Sequence, residues 1–142
     1  MKTIEVTCAV ILKEKKILAT RRAASMPHPL KWEFPGGKVK QGESREECLV
    51  REIREELALE VNLIRALDPL EYCYPDQNVL LFPFICRICS GTLRLAEHME
   101  YRWVPCDSLS DLDWLDADTG LVERLKVLLT GSLHDRSGPG LP

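Results

Sequence analysis

Apolar residues alternate with polar ones along "IEVTCAVIL" (Ile4 to Leu12), and many are β-branched, so this stretch reads as a strand. "KEKK" (Lys13 to Lys16) is a polar turn, and "ILATRR" (Ile17 to Arg22) returns as a second strand, predicting a hairpin. "AASMPHPLKWEF" carries two prolines and reads as a loop that leads into Gly36 and Gly37. The period then becomes helical. From Ser44 to Leu57, residues Leu49, Val50, Ile53 and Leu57 fall on one apolar stripe. Ser44 followed by Glu47 has the spacing of a capping box. "LEVNLIRALDPLEY" reads as one strand and "NVLLFPFICRI" as a long one, with Pro83 marking a bulge or an edge. "EYRWVP" is a short strand. In "DADTGLVERLKVLLT", Leu121, Val122, Leu125, Leu128 and Leu129 have helical spacing, so a second helix packs on the sheet. Residues 131–142 are rich in Gly and Pro and are expected to form a flexible tail after a single domain spanning 1–130. This order of elements predicts an α/β protein with a mixed sheet and helices on both faces.

Composition narrows the function classes. At 142 residues the chain is long enough for one well-buried core. A net charge of −3 gives no reason to expect binding to long nucleic acid. No apolar run approaches the roughly 18 residues of a membrane span, and no signal peptide opens the chain, so a cytoplasmic protein is expected. Of the six cysteines, Cys86 and Cys89 form a CxxC pair. They lie in a predicted strand, where residues three apart point to opposite faces, and no second pair completes a zinc site. Free thiols are the expected state.

The first helix carries the chemistry. Glu52, Glu55 and Glu56 are neighbours at i,i+3 and i,i+4, and like charges at that spacing repel. A charged surface helix, offset by Arg45, Arg51 and Arg54, is one reading. The carboxylate stripe borders the apolar stripe, however, and so faces a sheet edge or cleft. Hard oxygen donors gathered there suit Mg²⁺ or Mn²⁺, which in turn pair with phosphates. The preceding glycines let backbone approach the same place.

Gly37-x5-Glu43-x7-Arg51-Glu52-Ile53-Arg54-Glu55-Glu56-Leu57-Ala58-Leu59 resembles the Nudix box, GX5EX7REUXEEXGU, where U is aliphatic. Every defined position agrees except Ala58, which stands where the family usually has Gly at a tight helix-ending turn. "TRRAA", "WEFPGGK" and "YRWVP" extend the resemblance to the MutT-like and NudG-like branch, over roughly Ile4 to Leu128. The resemblance implies a Nudix α/β/α sandwich and metal-dependent hydrolysis of (d)NTPs to monophosphate and pyrophosphate. It further implies that Glu52, Glu55 and Glu56, with the Gly36 carbonyl and Glu97, hold the Mg²⁺ or Mn²⁺. Glu43 would pair with Arg51 and fix the loop carrying Gly37. Lys38 would meet a phosphate.

For the general base, Glu97 is the candidate, at the spacing of the MutT pattern's extra glutamate. Glu100 is its competitor, and Glu55 or Glu56 are further alternatives. Arg22 and Asp118 match positions that meet the nucleotide, and Phe34, just before Pro35-Gly36-Gly37, is placed to stack on the base. Arg22 is equally a surface arginine, Phe34 equally a core residue, and Asp118 equally a helix N-cap, with Asp116 its rival. MutT has Asn where this chain has Asp118. An ionised Asp only accepts hydrogen bonds, which suits the cytosine amino group, whereas a protonated one also donates, which suits an oxidised guanine. Both (d)CTP-type and 8-oxo-dGTP-type substrates therefore fit a sanitising enzyme that takes a small nucleotide and acts as a monomer or homodimer. A hydrolase of ADP-ribose or a dinucleoside polyphosphate and a non-catalytic nucleotide-binding domain are the alternatives.

Overall fold

A computed structural model describes residues 2–134, with side-chain surroundings through residue 129. The strands are β1 (Thr3–Lys13), β2 (Lys16–Arg21), β3 (Trp32–Glu33), β4 (Gly36–Lys38), β5 (Leu59–Ala66), β6 (Leu70–Cys73), β7 (Asn78–Gly91) and β8 (Glu100–Pro105). The helices are α1 (Arg45–Leu57) and α2 (Asp116–His134), with a 3₁₀ turn at Cys106–Asp111. β1 runs parallel to β7 from Thr3 opposite Asn78 to Ile11 opposite Cys86, and antiparallel to β4. β5 and β6 pair in succession with the other side of β7. β2, flanked by β3 and β8, leaves this sheet after a tight hairpin with β1.

Strict alternation along β1 builds two cores. Cys8, Val10 and Leu12 face one way and pack with Leu121, Val122, Leu125 and Leu129 of α2. Ala9 and Ile11 face the other way and pack with Leu49, Ile53 and Leu57 of α1. The mixed sheet thus lies between two helices, as the order of elements predicts. Along α1, Cys48 joins the buried stripe and Val50 is only half-buried.

Three sequence expectations change. The span 59–72 divides into β5 and β6. The break between them faces Pro83, which lies in a central strand rather than at an edge. The Pro83 carbonyl accepts from Leu67 N–H at 2.9 Å, so its ring nitrogen, on the same side of the strand, points into that break. The missing donor therefore disrupts no ladder. Second, the proline-rich loop holds β3 and β4, which exist by pairing with β2 and β1. Third, α2 continues through His134, so residues 131–134 are helical, while residues 135–142 of the expected tail lie outside the described residues.

Both halves of the capping box form. Glu47 N–H donates to Ser44 Oγ at 3.0 Å, and Ser44 N–H donates to Glu47 Oε1 at 2.8 Å. At the other end Ala58 takes a left-handed conformation, φ 58° and ψ 33°, with its N–H on the Arg54 carbonyl. A Cβ is strained there. Ala58→Gly is expected to raise stability by about 0.5–1 kcal/mol and leave turnover unchanged, as read by denaturant titration and steady-state assay.

Candidate active site

The fold sets the C-terminal half of α1 against β4. Gly36 and Gly37 face the two inward glutamates in turn. Gly36 N–H donates to Glu56 Oε1 at 3.0 Å. The Glu52 carboxylate fills the space beside Gly37, so a Cβ on that glycine would come within 2.3 Å of the carboxylate carbon. Thr7 Oγ1 donates to the Gly37 carbonyl at 3.3 Å and ties the turn to β1.

Arg51 organises the other carboxylates. Its Nε and Nη2 bind Glu43 at 3.0 and 2.7 Å, and its Nη1 binds Glu52 and Glu55 at 2.9 Å each. Glu43 also accepts Lys40 N–H at 2.8 Å. The Arg51 guanidinium first, then this backbone donor, holds the Glu43 carboxyl down to about 2. The implied Glu43–Arg51 clamp is therefore present, and the same guanidinium, one positive charge among three carboxylates, also binds Glu52 and Glu55. Glu55 is exposed, so the three box glutamates do not share one surface: Glu52 and Glu56 face the glycines and Glu55 faces outward.

Among the described residues Glu56 has no cationic partner. Burial, then the charges of Glu33 and Glu52, push its carboxyl up to about 8, against the Gly36 hydrogen bond, and Glu97 adds to the push. Glu97 lies on the exposed segment that runs along the end of α1, where Ala96 N–H donates to the Glu56 carbonyl at 3.1 Å and Arg94 N–H to that of Leu57 at 2.9 Å. Glu100 is engaged elsewhere, with Arg21 at 2.9 Å. Among the described residues, no three His, Cys, Asp or Glu side chains converge closely enough to hold a metal ion by themselves.

A cleft of about 350 Å³ runs from Glu56, Gly36 and Lys38 to Asp118 and Tyr74. Lys38 is exposed at its rim, and its carbonyl accepts from Cys48 Sγ at 3.3 Å. Asp118 is buried in its wall and does not cap α2. Its Oδ2 accepts from Phe34 N–H at 2.9 Å, across from β3. Burial first, with the Glu33 charge adding, raises the Asp118 carboxyl to about 8, against the Phe34 hydrogen bond and Arg22. Asp116 is exposed at the start of the helix.

The Phe34 ring belongs to the core. It is buried and stacked on Trp114, with ring centroids 4.5 Å apart. The aromatic rings at the mouth of the cleft are instead His28 and Tyr74, 5.1 Å apart, which bridge two loops. Arg22 lines the cleft, but its Nη1 holds both Glu33 oxygens at 3.1 Å and its Nε donates to the Pro27 carbonyl at 2.7 Å.

Glu33 is the residue that sequence reasoning passed over. It sits between Glu56 and Asp118, biases both electrostatically and anchors Arg22 and His98. Its signal was its place in "WEFPGGK", a motif quoted as a whole. The CxxC pair behaves as expected: Cys86 is buried, Cys89 exposed, and neither is bonded to the other.

Among the described residues no helix is long and apolar enough to cross a membrane. A model of the NUDIX domain matches residues 1–125. The chain is 31% identical over 129 residues to the 8-oxo-dGTP diphosphatase of Escherichia coli strain K12, covering 90% of this chain and 100% of that protein. It is 33% identical over 128 residues to the CTP pyrophosphohydrolase of the same strain, covering 90% and 95%. The solution structure of the E. coli ORF135 protein superposes with a TM-score of 0.81 at 31% identity, covering 95% of this chain and 96% of that one. With the clamp on Arg51, the glycine-backed glutamates and these likenesses together, the chain belongs to the Nudix hydrolase family, among its MutT-like members.

Proposed function

We propose that this hydrolase converts (deoxy)nucleoside triphosphates to the monophosphate and pyrophosphate, clearing 8-oxo-dGTP-type and (d)CTP-type nucleotides from a cytoplasmic pool. The observation that carries the reading is the seating of Glu56 on Gly36 and Glu52 on Gly37 at one end of the cleft, with Glu56 lacking a cationic partner among the described residues. In the reaction, one P–O bond between the α and β phosphorus atoms breaks. The water oxygen joins one product, and the water proton needs an acceptor.

The donor set fits Mg²⁺ or Mn²⁺. The oxygens are hard, Glu56 lacks a cation, and Glu52 and Glu55 are already grouped about the positive charge of Arg51. Glu52, Glu55, Glu56, Glu97 and the Gly36 carbonyl would hold the ion. When bound, the ion offsets charge on the polyphosphate and makes water a better nucleophile. Glu43 would keep Arg51 anchored if Glu52 and Glu55 turned to the ion. Lys38 meets a phosphate at the rim, and Glu97, exposed beside Glu56, takes the proton.

At the far end, Asp118 reads the base. Near neutral pH, below its raised value of about 8, its carboxyl is protonated, so it donates and accepts as an amide does. That form suits the edge of an oxidised guanine. The ionised form suits the cytosine amino group. His28 and Tyr74 border the same region and give the base an aromatic surface in place of Phe34. The supporting relatives are the 8-oxo-dGTP diphosphatase and the CTP pyrophosphohydrolase.

The test is a panel of canonical and oxidised (d)NTPs, ADP-ribose and a dinucleoside polyphosphate, run on the parent and on Asp118→Asn at pH 7 and pH 9. Asn cannot ionise. The variant is therefore expected to lose CTP-type turnover at pH 9 by about tenfold relative to the oxidised purine. An identical ranking in both proteins at both pH values removes Asp118 from the base site. Turnover confined to ADP-ribose or the dinucleotide overturns the triphosphate reading.

A further inference from the structure

His98 lies next to Glu97 on the segment between β7 and β8, and its imidazole is 2% exposed. Its Nε2 is 2.8 Å from Glu33 Oε2. Both Glu33 oxygens accept from Arg22 as well, so the ring nitrogen that faces Glu33 is the donor. The other ring nitrogen, Nδ1, is buried with no partner among the described residues. A buried polar atom without a hydrogen bond costs stability, and an apolar side chain of similar size would remove that cost. Packing alone does not account for a histidine here.

The surroundings point to what it does. The segment is pinned before Glu97 by Arg94 and Ala96, whose N–H groups donate to the last carbonyls of α1. It is pinned after Glu97 by Met99 N–H on the Arg21 carbonyl, at 3.0 Å. Between these backbone ties, His98 is the side chain that reaches inward, and it ends on Glu33. Glu33 itself is set by the rigid chain Pro27 carbonyl, Arg22, Glu33 and by its place in β3. Glu97 is exposed and takes its position from its neighbours.

We propose that His98 is a positioning residue. Its bond to Glu33 fixes the backbone at Glu97, and so holds the Glu97 carboxylate beside Glu56 for the hydrolytic step. This rests on the reading of Glu97 given above. Misplacing a reacting group by about 1 Å lowers the rate up to about 100-fold. The loss is expected on kcat, because His98 itself does not line the cleft and acts on the reaction through the Glu97 backbone.

A double-mutant cycle tests this, with pyrophosphate release in Mg²⁺ and thermal unfolding measured on each protein. His98→Leu and His98→Phe are expected to lower kcat about 10- to 100-fold, with KM within about twofold and Tm near the parent. Two variants are used so that poor packing of either side chain is recognised from its Tm. His98→Gln, whose amide N–H can still reach Glu33, is expected to restore most of the rate. In a Glu97→Gln background, His98→Leu is expected to change kcat by less than about twofold, because the group it positions is already lost. Losses that multiply in the double variant, or a loss confined to KM, overturn the positioning role. If Glu97→Gln alone leaves the rate at the parental value, the positioning role also falls, while metal-dependent pyrophosphate release still stands or fails by its own assay.

Discussion

Glu56→Gln is expected to lower turnover by about 10²- to 10⁴-fold while leaving the fold intact. The amide oxygen can accept the Gly36 N–H as the carboxylate does, so the seat of the side chain is kept. What is lost is the charge. Among the described residues Glu56 is the box carboxylate without a cationic partner, so a divalent ion would meet no competing cation there, whereas Glu52 and Glu55 are shared with Arg51. The same feature gives the variant a stability signature. The metal-free Glu56 carboxyl is raised from 4.5 to about 8 by burial and by Glu33 and Glu52. A raised value means that the folded state holds its proton more tightly than the unfolded chain. Its contribution is full below about pH 4.5 and is lost as pH climbs to about 8. Gln does not titrate. In chelator, the variant should match the parent near pH 4 and exceed it at pH 8 by at least about 1 kcal/mol, a few degrees in Tm, after allowing for partial solvent screening. Parental turnover in Glu56→Gln would remove this residue from the chemistry.

Alanine at the two glycines should separate site from scaffold. At Gly37 the new Cβ would fall 2.3 to 2.6 Å from the carboxylate atoms of Glu52, a side chain with freedom to move. Gly37→Ala is therefore expected to fold, with stability within about 1 kcal/mol of the parent, and to lose about 100-fold in kcat as Glu52 is pushed from its place. At Gly36 the Cβ would fall 2.0 Å from the Thr7 carbonyl oxygen and 2.7 Å from Cys8 Cα. That is backbone, and β4 can accept the methyl group only by parting from β1. Gly36→Ala is expected to cost about 3 kcal/mol or more. Thermal unfolding and steady-state kinetics on the pair distinguish the two effects. A Gly37→Ala protein with parental kcat would mean that the Glu52 position does not matter to the reaction.

What the sequence made legible is what short-range spacing encodes. The capping box, the two faces of β1 and the helix carrying Glu52 and Glu56 follow from residues a few positions apart, and the Glu43–Arg51 clamp is implied by the resemblance to the Nudix box. What stayed hidden depends on contacts distant in sequence. β3 and β4 have little strand propensity of their own and form because β2 and β1 pair with them. Glu33 gains its importance from His98 and from Arg22, just past the end of β2, and no periodicity announces either contact. Phe34 could be core or base platform by type, and only the fold shows its ring buried on Trp114, far along the chain, at the wall of the cleft. Asp118 looked equally like a cap, and only the fold shows its carboxylate turned to Phe34 N–H. Pro83 suggested an edge because a central strand ordinarily needs its N–H. The break between β5 and β6 removes that need.

The most direct measurement is of products. Purified protein is incubated with 8-oxo-dGTP and with CTP, in Mg²⁺ and in chelator, and monophosphate, pyrophosphate and orthophosphate are quantified together. Equal amounts of monophosphate and pyrophosphate from at least one of the two, abolished by chelator and by Glu56→Gln, is the expected result. Release of orthophosphate with the diphosphate, or turnover that is indifferent to chelator, would contradict the account.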